Sequence, residues 1–332
     1  MHHSLQTPDY SAYLLGLVVS LIFIVTAAAC SRPKWELISS GGHPHTPTFL
    51  NVSFSNPDHG WGLTPSALFE TNDGGRTWTS RIASDDGDRT FFDLDFVDGR
   101  TAFIVGIQRK GDKPSLLILR SNDAGKSWQD TQINSGQAVP NGLVHSISFC
   151  DSKIGWAVGA NTILATRDGG DTWETQNTND NDVLYSVTCS DANRAWAAGK
   201  HGRILYTGDG GRTWHSQVSG TTEDLTRIRS FGDDLWIVGG VADKGIVLHS
   251  HGGANWQSQP LVIAEPLFDI YVSGTSIWVA GANGAILRSR TGGQTWEREK
   301  SPTNNNLMSL FFLSPDQGWA GGDKMTLLRL SE

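Results

Sequence analysis

Four carboxylates recur at equivalent positions in the sequence, each inside a short phrase that ends in tryptophan. The first phrase runs from Thr71 to Trp78. The carboxylates belong to Asp73, Asp123, Asp168 and Asp209. Repeated carboxylates can bind calcium or act as acid and base, so these residues are the first candidates for chemistry. The phrase lacks the alternating carboxylates of a calcium loop, and we therefore expect neither a metal nor another cofactor there.

The residues around each carboxylate favour a structural turn. A short acidic side chain accepts hydrogen bonds from nearby backbone N–H groups, and paired glycines such as Gly74 and Gly75 adopt positive φ or allow close backbone approach. The tryptophan that follows returns to pack between strands as a large apolar anchor. We therefore interpret the four aspartates as structural, each supporting its own turn.

Other metal-binding residue types also lack a complete site. The pairs His43/His45 and His249/His251 could each contribute to a metal site, but no third ligand is evident. The segment 85–88, Asp-Asp-Gly-Asp, is interpreted as a solvated acidic loop. No metal site is predicted.

The phrase is a repeat, and its period indicates the fold. Its tryptophans follow one another at intervals of 40 to 50 residues from Trp78 to Trp296, which is the length of a β-propeller blade. A second phrase, Gly-Trp-x-x-Gly, precedes each one. Its aromatic residues are Trp61, Phe103, Trp156, Trp196, Trp236, Trp278 and Trp319. No segment has a helical period, so the pattern predicts an all-β protein.

Each repeat is interpreted as four short strands separated by turns rich in Gly, Asn, Asp and Pro. In the first repeat the predicted strands are Leu50 to Phe54, Trp61 to Thr64, Ala67 to Thr71 and Thr77 to Ile82. Seven Gly-Trp phrases accompany only six tryptophan-ended phrases after residue 70, and the missing one is split between 35–38 and 328–331. We predict a single seven-bladed β-propeller over 35–331, closed by the N-terminal strand around Trp35 completing the last blade.

The first thirty residues resemble an export signal. An apolar run from Tyr13 to Ala29 precedes Cys30, which predicts a lipoprotein-type signal peptide over 1–29 with Cys30 as the first mature, lipidated residue. The alternatives are ordinary cleavage after Ala29 and retention of the run as a membrane anchor. The expected location is the cell envelope, lipid-anchored to a membrane and facing the periplasm or cell exterior.

Composition excludes other classes. The chain has 38 Gly, 13 Trp and 18% charged residues, so disorder is not expected. The formal net charge is −8, which gives no electrostatic reason to expect nucleic acid. We expect a monomer whose partners are a protein segment and, through Cys30, the lipid bilayer.

Cys150 and Cys189 occupy equivalent positions in neighbouring repeats. An oxidising compartment permits a disulfide between them. Bonding requires Cα atoms within about 7 Å. Since adjacent blades diverge from the axis, we expect two free buried thiols.

Polar residues on the first strand of each blade are predicted to face the central channel. We define the first ring as Asn51, Asp93, Ser146, Ser186, Arg227, Asp269 and Ser309. We define the second ring, two residues further along, as Ser53, Asp95, Ser148, Thr188, Arg229, Tyr271 and Phe311. Two interpretations stay open: a hydrated channel with a local ion pair between Arg227 and Asp269, and a charge-marked docking site for a peptide or loop.

A second candidate surface consists of insertions expected on one face: Arg81 to Thr90, Gln108 to Ser115 and 130–143. Arg109, Lys110 and Lys113 give this face a basic tip beside the acidic loop. The alternatives are a solvated loop and a binding surface, because loops on a rigid scaffold often carry binding residues.

The phrase Ser/Thr-x-Asp-x-Gly-x-x-Trp resembles the Asp-box, or bacterial neuraminidase repeat. Together with Gly-Trp-x-x-Gly, seven repeats and a lipoprotein leader, residues 35–331 resemble the photosystem II stability and assembly factor family. The resemblance implies a lumenal or periplasmic propeller that acts as a non-enzymatic assembly chaperone. It also implies a basic patch for a membrane-protein client, which corresponds loosely to Arg227, Arg229 and Arg203.

Sialidases share the Asp-box, so an enzyme is the alternative. A sialidase-like site needs an arginine cluster, a Tyr nucleophile with a Glu partner, and an acidic proton donor. After the leader the only tyrosines are Tyr185, Tyr206 and Tyr271, and no Arg-Ile-Pro phrase exists. We predict a non-catalytic, membrane-tethered propeller that binds protein segments as an assembly factor or scaffold. The alternative is a carbohydrate-binding or sialidase-like glycoside hydrolase propeller.

Overall fold

The computed structural model describes residues 33–43, 45–84, 87–110, 113–131, 143–176, 183–261 and 263–331. Within these ranges the chain forms seven antiparallel sheets of four strands each. The only helical segments described are single 3₁₀ turns at Lys200–Gly202, Ala282–Gly284 and Asp323–Met325. The predicted all-β, seven-bladed propeller is confirmed.

Blades 1 to 4 use consecutive strands. Blade 1 contains β2 (Asn51–Phe54), β3 (Gly60–Leu63), β4 (Ala67–Thr71) and β5 (Thr79–Ala83). Blade 2 contains β6 (Arg89–Phe96), β7 (Ala102–Lys110), β8 (Lys113–Ser121) and β9 (Gln129–Asp130). Blade 3 contains β10 (Val144–Phe149), β11 (Gly155–Gly159), β12 (Thr162–Thr166) and β13 (Glu174–Gln176). Blade 4 contains β14 (Leu184–Cys189), β15 (Ala195–Gly199), β16 (Ile204–Thr207) and β17 (His215–Gln217).

Blades 5 to 7 complete the ring. Blade 5 contains β18 (Leu225–Phe231), β19 (Asp234–Val241), β20 (Lys244–His251) and β21 (Gln257–Ser258). Blade 6 contains β22 (Leu267–Ser273), β23 (Ser276–Gly281), β24 (Ile286–Ser289) and β25 (Glu297–Arg298). Blade 7 contains β26 (Leu307–Ser314), β27 (Gln317–Gly322), β28 (Thr326–Ser331) and β1 (Lys34–Ser39). The first strands of neighbouring blades lie against each other around the whole ring, with β26 against β2.

The N-terminal strand closes the ring as predicted. Strand β1 pairs antiparallel with β28, with Trp35 opposite Leu330. The Trp35 side chain is buried and meets the Trp278 ring edge-on at 5.6 Å. Because one sheet contains both ends of the described chain, blade 7 cannot form until the chain has gone once around the ring.

The two repeated phrases recur together because they pack against each other between neighbouring blades. A Cβ atom on Gly125, at φ 84°, would lie 2.8 Å from the ring of Trp61 in the preceding blade. A Cβ atom on Gly293, at φ 86°, would lie 2.5 Å from Trp236. The second glycine of the Asp-box is therefore required both for its backbone conformation and for the approach of the aromatic residue.

The Asp-box carboxylate accepts hydrogen bonds within its own turn. In blade 1, Asp73 accepts hydrogen bonds from the Thr77 backbone N–H at 2.9 Å and from the Thr77 hydroxyl at 2.6 Å. Thr71 Oγ1 also donates to Asp73 and accepts from Gly75 N. Hydrogen bonding to the Thr77 side chain lowers the pKa of Asp73 to about 2. The charged carboxylate thus stabilises the turn.

The two boxes without aspartate make different contacts. In blade 6, Thr291 Oγ1 accepts from Thr295 N at 2.9 Å, as the carboxylate does elsewhere. In blade 5, Asp234 lies opposite the lost position, and its carboxylate contacts His249 Nε2 at 2.9 Å and His251 Nδ1 at 3.1 Å. The two histidines are thus bound to one carboxylate, and the described residues include no group of three metal-ligating side chains.

Cys150 and Cys189 form a disulfide, so the expectation of two free thiols is wrong. Their Cα atoms are 5.6 Å apart. Cys189 ends β14 and Cys150 directly follows β10, which places both on the innermost strands. Blades diverge with distance from the axis, but neighbouring first strands are still close, and the bond joins blades 3 and 4 at that radius.

The lipidation prediction at Cys30 and the signal peptide 1–29 lie outside the described residues. Within the described ranges, no helix has the length and apolar character needed to cross a membrane.

Candidate functional site at the channel mouth

The first ring lies in the buried wall of the channel. All seven of its side chains are buried, including Asp93, Arg227 and Asp269. Four of its members accept a backbone N–H from the first strand of the next blade. These bonds are Ile147 N to Asp93 Oδ2 at 3.2 Å, Ile228 N to Ser186 Oγ at 3.2 Å, Leu310 N to Asp269 Oδ2 at 2.8 Å and Val52 N to Ser309 Oγ at 3.1 Å. The first ring therefore joins neighbouring blades.

Arg227 connects two of these carboxylates. Its Nε lies 3.1 Å from Asp269 Oδ1, and its Nη1 lies 3.4 Å from Asp93 Oδ2. The predicted ion pair with Asp269 is present, while the second contact, to blade 2, was not foreseen. Burial works against the charged guanidinium, yet the two carboxylates hold the pKa of Arg227 above its ordinary value. Asp93 also accepts from Asn51 Nδ2 at 3.1 Å.

The second ring contains the charges that are open to the channel. The Arg229 side chain is 40% exposed, and its nearest carboxylate oxygen is Asp269 Oδ1 at 3.8 Å. Asp95 Oδ2 accepts from Phe149 N at 3.0 Å. Burial raises the pKa of Asp95 to about 6, although the Phe149 N–H opposes the shift. A carboxyl with a raised pKa and a loosely paired guanidinium thus lie on the same ring.

A cavity of about 280 Å³ opens between these groups. Asp95 and Arg229 supply its charge, and Tyr271, Phe311 and Phe312 supply an aromatic wall. The Tyr271 and Phe312 rings are stacked, with their centroids 4.4 Å apart. The cavity offers an apolar surface and two opposite charges on a rigid strand scaffold, which suits recognition of a peptide side chain.

Strand direction places this cavity at the Asp-box end of the propeller. The first and third strands of an antiparallel blade end on the same side, and the box turn follows the third strand. The second ring lies towards the end of the first strand. Connections between the second and third strands, and those between blades, emerge at the opposite end.

The predicted insertion surface therefore lies at the other end of the molecule. Part of this surface is a β-hairpin, because β7 ends at Lys110 and β8 begins at Lys113. The exposed Arg109 donates its backbone N–H to Asp88 O at 2.6 Å, so this hairpin contacts the neighbouring insertion. The side chains of Lys110 and Lys113, and residues 85–86 and 132–142, lie outside the description.

Arg203 also lies at that opposite end. It follows the 3₁₀ turn at Lys200–Gly202, between the second and third strands of blade 4, and its Nη1 donates to Ser216 Oγ at 3.0 Å. The fold therefore separates Arg203 from Arg229 along the channel axis. A basic patch formed by Arg203, Arg227 and Arg229 is not assembled.

The tyrosines are not arranged as in a sialidase-like site. Tyr185 Oη lies 3.4 Å from Asp224 Oδ2, and the ring of Tyr206 packs against Trp196 at 5.0 Å. Tyr271 alone lines the cavity, and no glutamate is among the described residues that surround it.

A family model matches this sequence along most of its length. The sequence model described as "Photosynthesis system II assembly factor YCF48" matches residues 27–140, 135–216, 176–267 and 266–331. The chain belongs to this family. The family resemblance suggested by the two repeated phrases is thereby confirmed.

Individual members of the Ycf48 family align along nearly the whole chain. The photosystem II assembly protein Ycf48 of Thermosynechococcus vestitus is 29% identical over 96% of this chain and 91% of that protein. The photosystem II assembly lipoprotein Ycf48 of Trichormus variabilis is 27% identical over 93% of this chain and 92% of that protein. A solved structure described as YCF48 bound to D1 peptide is 26% identical, with a TM-score of 0.69 over 90% of this chain and 97% of that chain.

Proposed function

We propose that this chain is a membrane-tethered, non-catalytic assembly or stability factor that binds a segment of a client membrane protein at the channel mouth. The observation that carries the proposal is the cavity bounded by Asp95, Arg229 and the Tyr271 ring. It offers charge and aromatic surface on a closed ring, and no glutamate that could partner Tyr271 is among the described residues that line it.

The relatives support this assignment. Those named above are described as photosystem II assembly proteins, and one solved relative holds a D1 peptide. A photosystem II subunit or a comparable membrane complex is therefore the client class we propose. The relatives' names do not favour the alternative of a carbohydrate-binding or glycan-cleaving propeller.

The proposed tether is a lipid on Cys30. The relative from Trichormus variabilis is named a lipoprotein, which supports a lipid-anchored form of this chain. We further propose cleavage after residue 29, exposure to the periplasm or cell exterior, and a monomeric state.

Affinity capture from detergent-solubilised membranes tests the proposal. The full chain is compared with the double variant Asp95→Ala/Arg229→Ala and with Lys244→Ala, whose side chain is 61% exposed at the start of β20, at the opposite end. We expect the same membrane protein with the wild type and Lys244→Ala, and its loss with the double variant. Equal capture by all three, or enrichment of glycan without protein, would contradict the proposal.

A third variant, Arg109→Ala, tests the insertion surface. We propose that the hairpin tip with Arg109, Lys110 and Lys113 is a secondary contact, because it projects from the opposite end of the ring. Reduced capture with Arg109→Ala supports that contact, and unchanged capture restricts binding to the channel mouth.

A further inference from the structure

One acidic group among the described residues of the channel mouth makes no ion pair. Asp93 and Asp269 both contact Arg227, and Asp269 also accepts from two backbone N–H groups. Asp95 differs, because within the described residues its carboxylate has one hydrogen bond, from Phe149 N, and no ion pair. A half-buried carboxylate with one hydrogen bond is incompletely compensated.

The ionised groups around the cavity do not balance. Three carboxylates, Asp93, Asp95 and Asp269, face two guanidiniums, Arg227 and Arg229, which leaves a formal charge of −1. Arg227 already pairs with two carboxylates, and Arg229 Nη2 lies 3.8 Å from Asp269 Oδ1. One added positive charge brings the cluster to neutrality, whereas an added anion makes the imbalance larger.

The cavity also has the shape and lining for an organic cation. Its volume of about 280 Å³ accommodates an alkylammonium or guanidinium side chain. Tyr271 and Phe311 line the same cavity as Asp95. Aromatic faces attract such cations through the ring quadrupole, and they also accept the methylene groups of a long side chain.

We propose that the channel mouth is a receptor for one cationic side chain, lysine or arginine, of the bound segment, with Asp95 as its counterion and Tyr271 and Phe311 as its aromatic wall. This inference rests on the proposed function, since it specifies which group of the client enters the cavity. It assigns Arg229 a repelling role, which excludes a second cation and orients the first towards Asp95.

Proton binding competes with the cation. Burial raises the pKa of Asp95 to about 6, so the carboxyl is largely protonated at pH 5 and largely ionised at pH 7. The charged groups that act on it are Asp93 on its own strand and Arg227 and Arg229 on β18, and both arginines also contact Asp269 on β22. Affinity for a cation should therefore rise about tenfold from pH 5 to pH 7.

Three four-carbon probes test the proposal without any client protein: n-butylammonium, n-butanol and butyrate. The three probes have alkyl groups of similar length and differ in charge. Each is titrated into the full chain while the amide resonances of Phe149 and Tyr271 are followed by NMR. The Phe149 amide is the reporter because it donates directly to Asp95. We expect saturable shifts with n-butylammonium only, stronger at pH 7 than at pH 5.

Two variants should change n-butylammonium binding in opposite directions. Asp95→Asn keeps the size of the side chain and should abolish the response to n-butylammonium. Arg229→Gln removes the repelling charge and should tighten n-butylammonium binding several-fold. Ser148→Ala, a neutral change on the same ring, is the control and should behave as the wild type. Saturable butyrate binding that is lost in Arg229→Gln would identify an anion site and overturn the proposal, as would absence of binding by all three probes.

The result of the probe titration can be distinguished from the result of the capture experiment that tests the proposed function. If the membrane protein is captured through the channel mouth but n-butylammonium does not bind, the cation receptor is wrong and the assembly function stands. If n-butylammonium binds Asp95 but no client depends on the channel mouth, the cation site stands and the assignment of its ligand to a client segment is wrong.

Discussion

Arg227 on blade 5 reaches across the channel to Asp93 on blade 2, 134 residues away in the sequence, with Nη1 and Oδ2 3.4 Å apart. The same guanidinium contacts Asp269 on blade 6. Blade 2 and the consecutive blades 5 and 6 are thus joined at the axis by one buried cation. The arrangement predicts a strong dependence of stability on Arg227.

Replacing Arg227 with methionine should lower the free energy of unfolding by about 3–5 kcal/mol, since two buried carboxylates lose their counterion. Denaturant unfolding measures the change. Adding Asp93→Asn to Arg227→Met should recover part of the loss. Arg290→Met is the matched control, because Arg290 pairs with Glu297 at the surface and its loss should cost less than about 1 kcal/mol. Similar losses for both arginines would show that the channel network is not a stabilising element.

Gly125→Ala tests the packing between blades. The new methyl group would collide with the ring of Trp61 at a backbone position with φ 84°, so we expect a loss of about 1–3 kcal/mol. Gly99→Ala is the control, because no atom lies within 4 Å of the position of its Cβ. Equal melting temperatures for the two variants would contradict the packing role of the box glycine.

Asp73→Ala tests the Asp-box turn. The loss should be about 1 kcal/mol near neutral pH, comparable to loss of a capping hydrogen bond. The folded-state pKa is lowered to about 2, so the carboxylate stabilises the fold above its unfolded pKa, and this contribution disappears as the pH falls from about 4 to 2. Thermal unfolding of wild type and variant should therefore converge in acid.

The control for Asp73→Ala is Asp243→Ala, an exposed turn residue with no partner among the described side chains. A difference between wild type and Asp73→Ala that persists at pH 2 would mean that charge on Asp73 is not the source of the stabilisation. Loss of client binding by a folded Asp73→Ala protein would place the box within the functional surface instead.

The fold was predictable from sequence because its determinants are local and repeated. Each blade carries its own turn glycines and its own aromatic residue, so the period alone counts the blades. The closing strand around Trp35 was predictable for the same reason, since the missing seventh box was split between 328–331 and 35–38, and Trp35 indeed pairs with Leu330.

The site was only partly predictable. Strand alternation placed Asp95 and Arg229 on one ring, and the pairing of Arg227 with Asp269 followed from adjacent blades. The contact between Arg227 and Asp93 depends on the reach of a side chain across the channel, which no sequence spacing encodes. The disulfide was missed because we expected the divergence of neighbouring blades to separate the two cysteines. Both cysteines lie at the innermost strands, where neighbouring blades are still close.

The disulfide itself gives a further prediction. Cys150 and Cys189 are 39 residues apart, and cross-linking a loop of that length constrains the unfolded chain by about 2–4 kcal/mol. The double variant Cys150→Ala/Cys189→Ala should lose that amount under oxidising conditions. Under reducing conditions its melting temperature should approach that of the wild type. Equal stability of the oxidised proteins would contradict the bond between blades 3 and 4.

The most direct test of the central claim is site-specific photocrosslinking in cells. A photoreactive residue is placed at Phe311, in the channel mouth, or at Val218, which is 88% exposed at the opposite end after β17. If the channel mouth receives a client segment, Phe311 should crosslink to one membrane protein, and Asp95→Asn should reduce the yield. Crosslinks to that protein from Val218 alone, or none from Phe311, would contradict the account.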